Sequence, residues 1–371
     1  MKRVRIYHDL GSLPESYKNL FECNDQKSSL FLSYTWFDIL IKNSLSIEHS
    51  MRFFGLENTT DGTAYALAPM CFLPSRQHWY TPRKLIAASN YYTSLFHLIH
   101  DEGDAHALEN MRHLIRGIIE DTPHWDCIDL HPLDKDSLQF SSIQGAFSDV
   151  GASIQTYFCF GNWYLKLEGR SFQEYFKSVP SRLRNTIDRK SRQLEKSHGL
   201  HIKLVQTEAE LQTAAAAYEQ VYQSSWKQSE AHPQFVSALM QSCAREGWLR
   251  LGIAYIDDKP VAAQLWIVYR GVASIYKLAY DENFSKLSIG SILTAHIMRY
   301  VIDIDQVNEV DYLTGDDDYK KDWMSHRRER WGVIAFNNAT IKGKLAGLWH
   351  LGRQELKRVL IYFRSVFNKV S

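Results

Sequence analysis

The chain has 371 residues, 45% hydrophobic and 13% aromatic, which is ample for a core and long for a single one, so two folded domains are expected. Lys plus Arg (43) balances Asp plus Glu (42) to a net charge of +1, which gives no sign of a DNA binder and confines any basic surface to local patches. Cys23, Cys71, Cys127, Cys159 and Cys243 stand far apart with no C-x-x-C pair, and no window nears the roughly 18 apolar residues of a membrane span, so a cytoplasmic protein with free thiols is expected.

VRIYHDL reads as a first strand, and Leu30, Tyr34, Phe37, Ile41 and Leu45 recur at threes and fours as an aromatic-rich core helix. Thr63 to Pro74 reads as a buried strand between Gly62 and Pro74, and LIAASNYYTSLFHLIH as a strand-and-turn unit. Asp104 to Glu120 places Leu108, Met111, Leu114, Ile115 and Ile118 on one helical face, with Asp104 as its cap. WDCIDLHPL is the next strand, and SIQTYFCFGNWYLKL a strand pair closing this half.

Phe172 to Lys196 reads as one helix with Leu183, Ile187 and Leu194 inward and Arg182, Arg189 and Lys196 along another stripe, where Asp188 and Glu195 can pair with Arg184 and Arg192. Helices follow from Glu208 to Lys227 and Pro233 to Glu246. The strands Leu249 to Tyr255 and Val261 to Tyr269 are joined across Asp257-Asp258-Lys259-Pro260, which is hairpin-turn chemistry. Trp331 to Asn337 supplies another strand. Lys342 to Ser371 is a basic amphipathic tail interrupted near Gly352, expected to pack on the body and also a candidate for peripheral membrane contact.

The most informative stretch is Val272 to Trp323. SIYKLAY alternates as a strand with two faces, and Ile289, Leu293, Ile297 and Val301 then recur as a helix opened by Gly290. Ser288-Ile289-Gly290-Ser291 would aim backbone N–H groups, at the positive end of the helix dipole, beyond the preceding strand: a seat for phosphate. A strand at Glu309 to Leu313 ends in the charged loop Gly315-Asp316-Asp317-Asp318-Tyr319-Lys320-Lys321 beside that seat.

This order, from strand through Ser-x-Gly-x-x-Leu to Gly-Asp-x-x-Tyr-Lys, together with RLRNTIDRKSRQLEKSHG, YQSSWKQSE and GWLRLGIAYIDDKPVAAQLWIVY upstream, resembles the GNAT superfamily of acyltransferases, in the BioF2-like or CelD-like branch related to FemAB peptidyltransferases. The resemblance implies a mixed α/β (α+β) fold of two tandem GNAT-like domains, each a mostly antiparallel sheet flanked by helices, at residues 1–165 and 166–338, with a helical tail at 339–371. It implies an acyl-CoA or acyl-carrier thioester donor, acetyl-CoA or longer, no metal, and the amine of a small-molecule, amino-acid or sugar acceptor, in envelope or exopolysaccharide assembly. The donor would lie on Lys277, Leu278, Ala279 and Tyr280, whose amides serve the oxyanion, and on Ser288, Ile289, Gly290, Ser291 and Ile292. Asp316 is then the candidate base or amine-orienting group, Tyr319 the proton donor, and Lys320 a charge for the oxyanion or an acceptor carboxylate. Trp226 and Lys227 match the family's Trp-Lys element, and Asn90, Tyr91 and Tyr92 its acceptor-side loop.

No H-E-x-x-H, Cys/His metal set, G-x-S-x-G elbow or Walker loop occurs, which leaves hydrolase and metalloenzyme readings without residues. Two alternatives stay open: a FemAB-like transferase using aminoacyl-tRNA, although no sustained heptad run is present, and a non-catalytic tandem-GNAT scaffold, which suits a loop keeping only Gly290.

Overall fold

The computed structural model describes residues 1–23, 29–45, 50–75, 81–101, 103–122, 124–197, 199–350 and 352. Its elements begin with β1 (Lys2–Tyr7), α1 (Glu15–Cys23), α2 (Tyr34–Asn43), β2 (Ser50–Asn58), β3 (Ala64–Leu73), β4 (Lys84–Ala87), β5 (Ile99–His100), α3 (Ala107–Ile119) and β6 (Cys127–Asp134). There follow α4 (Leu138–Asp149), β7 (Ser153–Lys166), α5 (Phe172–Ser178), α6 (Ser181–Ser197), β8 (His201–Val205), α7 (Glu208–Gln223), α8 (Pro233–Arg245), β9 (Leu249–Ile256) and β10 (Lys259–Tyr269). The last are β11 (Val272–Tyr280), α9 (Ile289–Asp303), β12 (Glu309–Asp311) and β13 (His326–Phe336).

These elements gather into two compact units, one of residues 1–23, 50–159 and the described residues from 330 on, the other of 29–45 and 160–329. The division differs from a simple cut at 165. Helix α2 belongs with the second unit, where Trp36 is buried against Phe235 and Tyr276, and the strand from 330 belongs with the first.

Within the first unit the strand order is β1-β2-β3-β4-β6-β13, antiparallel throughout except for the β4–β6 pair. Within the second it is β8-β9-β10-β11-β12-β7, antiparallel except for β11–β12. The same ladder thus occurs twice with its single parallel step in the same place, and a helix (α3, then α9) lies in the connection that makes that step. The repeat implied by the tandem-domain resemblance is therefore topological. The expectation of a mixed α/β fold with mostly antiparallel sheets is met. Each unit has its own core, one around Phe54, Leu114, Ile128 and Phe147, the other around Tyr175, Trp266, Leu293 and Val310.

Local chemistry explains where the elements start and stop. Asp257 and Asp258, with φ of 48° and 62°, make the two-residue hairpin between β9 and β10. The helix expected over 172–196 is two helices, because Pro180 cannot continue α5, and Arg184 donates to the freed Val179 carbonyl at 3.0 Å rather than pairing with Asp188. Helix α3 starts at Ala107, not at Asp104, whose carboxylate instead accepts from His106 N (2.8 Å) and Asn110 Nδ2 (2.6 Å); Leu108 faces solvent. The strand pair expected over 153–167 is one 14-residue strand, since Gly161 makes no turn and instead leaves room for Asp316 and Arg327, which a β-carbon would meet at 2.7 and 2.8 Å.

The four cysteines with described side chains, Cys71, Cys127, Cys159 and Cys243, form no disulfide. No helix among the described residues is long and apolar enough to cross a membrane. Residues 341 to 350 of the tail are helical, and the expectations for 353–371 fall outside the described residues.

Candidate active site

The second unit opens where its parallel pair ends. Register between β11 and β12 runs from Val272–Glu309 to Ser274–Asp311 and stops there, while β11 continues to Tyr280. At the same point β11 has a bulge: Leu265 of β10 faces Lys277 and Trp266 faces Ile275, so Tyr276 is the extra residue. The bulge turns β11 away from β12, and a wedge opens along its edge. Tyr276, Lys277, Leu278 and Tyr280 are half-buried there, whereas Ala279 is buried.

Strand β12 is held on its side by a polar cluster that sequence reasoning missed. Arg328 donates to Asp311 (2.5 Å), Glu309 (2.8 Å) and Asn162 Oδ1 (2.6 Å), and stacks 4.3 Å over Tyr164. Asn162 Nδ2 returns a bond to Asp311 (2.5 Å), and Leu313 N donates to the same carboxylate at 2.7 Å. The only sign of this in the sequence is the run His326-Arg327-Arg328-Glu329-Arg330, whose strand alternation sends Arg328 inward.

The far end of the wedge is the start of α9. Its N-cap, Ser288, sits in the left-handed region at φ 57° and gives no side-chain cap. Among the described residues the amides of Ile289, Gly290 and Ser291 have no hydrogen-bond partner, the first helical bond being Ile292 N to Ser288 O at 3.1 Å. Ile289 and Ile292 send their side chains into the core, leaving only their backbone for a ligand. Ser288, Gly290 and Ser291 are half-buried, so the seat is open. Gln264 fixes it from beneath, donating to Gly290 O (3.0 Å) and Thr294 Oγ1 (2.9 Å) while accepting from Trp266 Nε1 (2.9 Å). A β-carbon at Gly290 would come within 3.3 Å of the Tyr280 ring, which lies against the helix start. Ser291→Glu adds a charge favoured by the helix dipole by about 0.3–1 kcal/mol but opposed to a bound phosphate. Coenzyme A affinity by calorimetry is expected to fall at least tenfold with thermal stability held or raised; unchanged affinity would remove the seat.

The loop after β12 gives its three candidates different parts. Lys320, 4% exposed, donates to Thr314 O (2.7 Å) and Gly315 O (3.3 Å) and pairs with Asp317 (3.3 Å), so its ammonium holds the loop together rather than being available to an oxyanion. Asp316 is bound by Arg327 (2.7 Å) and by Trp163 Nε1 (2.8 Å), and Arg327 holds its carboxyl below the usual carboxylate range, which makes it a poor base. Tyr319 is 45% exposed and packs edge-on to Tyr312, with its hydroxyl pushed up to about 12 by burial and by Asp317, so it stays protonated.

A second group joins the segment after α7 to β11. Glu230 accepts from Lys277 Nζ (2.5 Å) and Tyr222 OH (2.7 Å), while Trp226 rests on Tyr280 with ring centroids 4.6 Å apart. Lys227 lies among them and makes no salt bridge within the described residues. Burial, then the charges of Lys277 and Lys320, outweigh Glu230 and Asp317 and lower its ammonium to about 8. Lys227 thus feels the charges of Lys277 on β11 and of Lys320 in the loop after β12, opposed by those of Glu230 and Asp317. Glu230 was not among the site residues read from the sequence.

Asn90, Tyr91 and Tyr92 lie in the first unit. Asn90 Oδ1 accepts from Tyr92 N (3.0 Å) in a tight turn that presents Tyr91, 56% exposed, stacked on the buried Tyr92. The corresponding parallel step of that unit is laced shut: Ser89 Oγ donates to His131 O (2.7 Å) and Phe96 N to Pro132 O (2.6 Å) just past the last β4–β6 pair. In the second unit the β11–β12 register ends at Ser274–Asp311.

The family profile described as "Acetyltransferase (GNAT) domain" matches residues 181–321, the stretch that contains β11, α9 and the polar loop. The chain carries a GNAT acetyltransferase domain. The resemblance drawn from the motifs holds for this stretch, which is an acetyltransferase domain of the GNAT type. No curated protein sequence is significantly similar to this one. Among solved structures the chain is similar to FemX (TM-score 0.59, 10% identity, 90% of this chain and 98% of that one). It is similar also to a conserved protein of unknown function from Bacteroides thetaiotaomicron VPI-5482 (0.57, 10%, 90% and 100%). A third is the C-terminal domain of a putative lysylphosphatidylglycerol synthetase from Agrobacterium fabrum (0.53, 11%, 91% and 96%). At such identity the likeness is one of fold, and it extends well beyond the GNAT domain.

Proposed function

We propose that the protein moves an acyl group from an acyl-CoA thioester to the amine of a small-molecule acceptor. One observation carries the reading: the edge that β11 exposes beyond Ser274 leads directly to the uncapped amides of α9. A thioester on that edge would meet strand amides at its carbonyl, and the diphosphate of its carrier would meet the amides of Ile289, Gly290 and Ser291. The acceptor nitrogen attacks the carbonyl carbon, a C–N bond forms, and the C–S bond breaks. Lys227, whose amine is neutral above about pH 8, takes the proton lost by the nitrogen, and the Tyr319 hydroxyl supplies one to the departing thiolate. In place of a base, Asp316 orients Arg327 and Trp163, and Lys320 keeps the loop that carries Tyr319 in shape.

Titration calorimetry with acetyl-CoA and longer acyl-CoAs tests this. One-to-one binding is expected; the absence of heat with every thioester would leave the scaffold reading. A second reading, transfer from aminoacyl-tRNA, draws on the exposed stripe of Arg182, Arg189 and Lys196 on α6, and a tRNA gel shift abolished by charge reversal there would favour it.

A further inference from the structure

Residues 341–350 form a helix that lies on the first unit with its polarity inverted. The inward side is made of small residues. A β-carbon at Gly343 would run into the carbonyl oxygens of Asn337 and Asp126, one at Gly347 would come within 3.2 Å of Phe336, and Ala346 packs on the cluster of Cys127, Ile334 and Phe336. Thr340 Oγ1 accepts from Gly343 N (3.0 Å) at the helix start, and Lys342 anchors the first turn by donating to Ser75 Oγ (2.8 Å) and Thr81 O (3.3 Å). The large apolar residues, Ile341, Leu345, Leu348 and Trp349, stand at i, i+4, i+7 and i+8 and share the opposite face, each between 49% and 75% exposed. Lys344 is exposed on the same face. The helix thus gives its glycines to the body and its leucines and tryptophan to solvent, the reverse of an ordinary surface helix, and a contiguous apolar stripe so placed marks a contact surface.

We infer that this face docks on the surface of an anionic phospholipid bilayer. Charge decides the occupant: residues 342–371 hold seven Lys and Arg against one acid, Glu355, in a chain of net charge +1, so the rest of the chain is net acidic and the basic excess is confined to this end. A second copy of the chain would set the same basic stripe against itself, and the body has already taken the small-residue side. On a bilayer, Leu345 and Leu348 enter the boundary between headgroups and acyl chains, the amphipathic ring of Trp349 sits at headgroup level, and Lys344 meets lipid phosphate. No helix among the described residues is long and apolar enough to span, so the contact made here is one of surface, and reversible.

The test is co-sedimentation of the full chain with vesicles of phosphatidylcholine alone and of an equal mixture of phosphatidylcholine and phosphatidylglycerol, beside sedimentation velocity without vesicles. Binding to the mixed vesicles is expected, at least tenfold tighter than to phosphatidylcholine and weakened by added salt. Leu348→Asn, at an exposed position, is expected to weaken it about tenfold with the melting temperature unchanged. Lys344→Glu, which reverses one charge on the face, is expected to weaken it about tenfold as well. No affinity for the mixed vesicles, or an affinity that either variant leaves unchanged, overturns the inference. So does a dimer in solution that Leu348→Asn dissociates, which would assign the face to a second copy.

Discussion

Lys227→Met is expected to lower kcat/KM for acyl transfer by about 100-fold, within the range a positioned base contributes, and at the same time to make the protein more stable at pH 7. Both effects come from one arrangement. The ammonium of Lys227 is half-buried beside Lys277 and Lys320, so its charged form is penalised in the folded chain and its titration falls from 10.5 to about 8. Between those two values the unfolded chain binds more protons than the folded one, so wild-type stability rises with pH across that window, and the penalty is present in full below about 8. Methionine removes the charge. Its stabilising effect is therefore largest below about pH 8 and fades toward 10.5, and melting temperatures taken across this range check it. The wild-type kcat/KM should rise through about pH 8 and the variant's should not. A variant with the wild-type rate, or one stabilised equally at every pH, would sink the assignment.

Arg328→Ala is expected to cost about 3 kcal/mol, the low end of what removing one partner from a buried ion pair costs, since the Arg328 and Glu309 side chains stay 25% and 20% exposed. The reason is what remains: Asp311 and Glu309 face each other without the guanidinium that joined them, and Asn162 loses its donor. For a unit of this size about 2–4 °C is lost per kcal/mol, so a fall of about ten degrees is expected in thermal unfolding. Leu313, at φ 55°, depends on the same Asp311 carboxylate for its amide, so the loop bearing Tyr319 should loosen and donor affinity should drop with stability. A variant that melts within two degrees or so of wild type would mean that the cluster does not hold β12.

How much could be read beforehand depends on range. Alternation in SIYKLAY and the fours of Ile289, Leu293, Ile297 and Val301 are local signals, and they placed β11 and α9 within a residue or two. Gly290 at the helix start and the Asp257-Asp258 hairpin are equally local. Sequence failed where an element answers to a distant neighbour. Residues 153–167 read as a strand pair because nothing in that segment shows that Asp316 and Arg327 pass over Gly161. Lys320 and Asp316 looked like chemical groups because their residue types suit catalysis, but the carbonyls of Thr314 and Gly315 and the guanidinium of Arg327 decide what they can do. Lys227 went the other way: a residue read as an acceptor contact becomes the candidate base once its burial and the charges of Lys277 and Lys320 are counted. The topological repeat was hidden for a related reason, since hydrogen-bonded strand order leaves no trace in residue identity, and β7 and β13 complete sheets outside their own continuous stretches.

The central claim is that the thioester donor lies on the edge of β11 and against the start of α9. Amide hydrogen exchange with and without acetyl-CoA tests it most directly. Slowed exchange is predicted for residues 275–280 and 289–292, with residues 84–92 at the matching step of the first unit unchanged. Protection confined to the first unit, or none at 275–280 and 289–292 under saturating acetyl-CoA, would contradict the account.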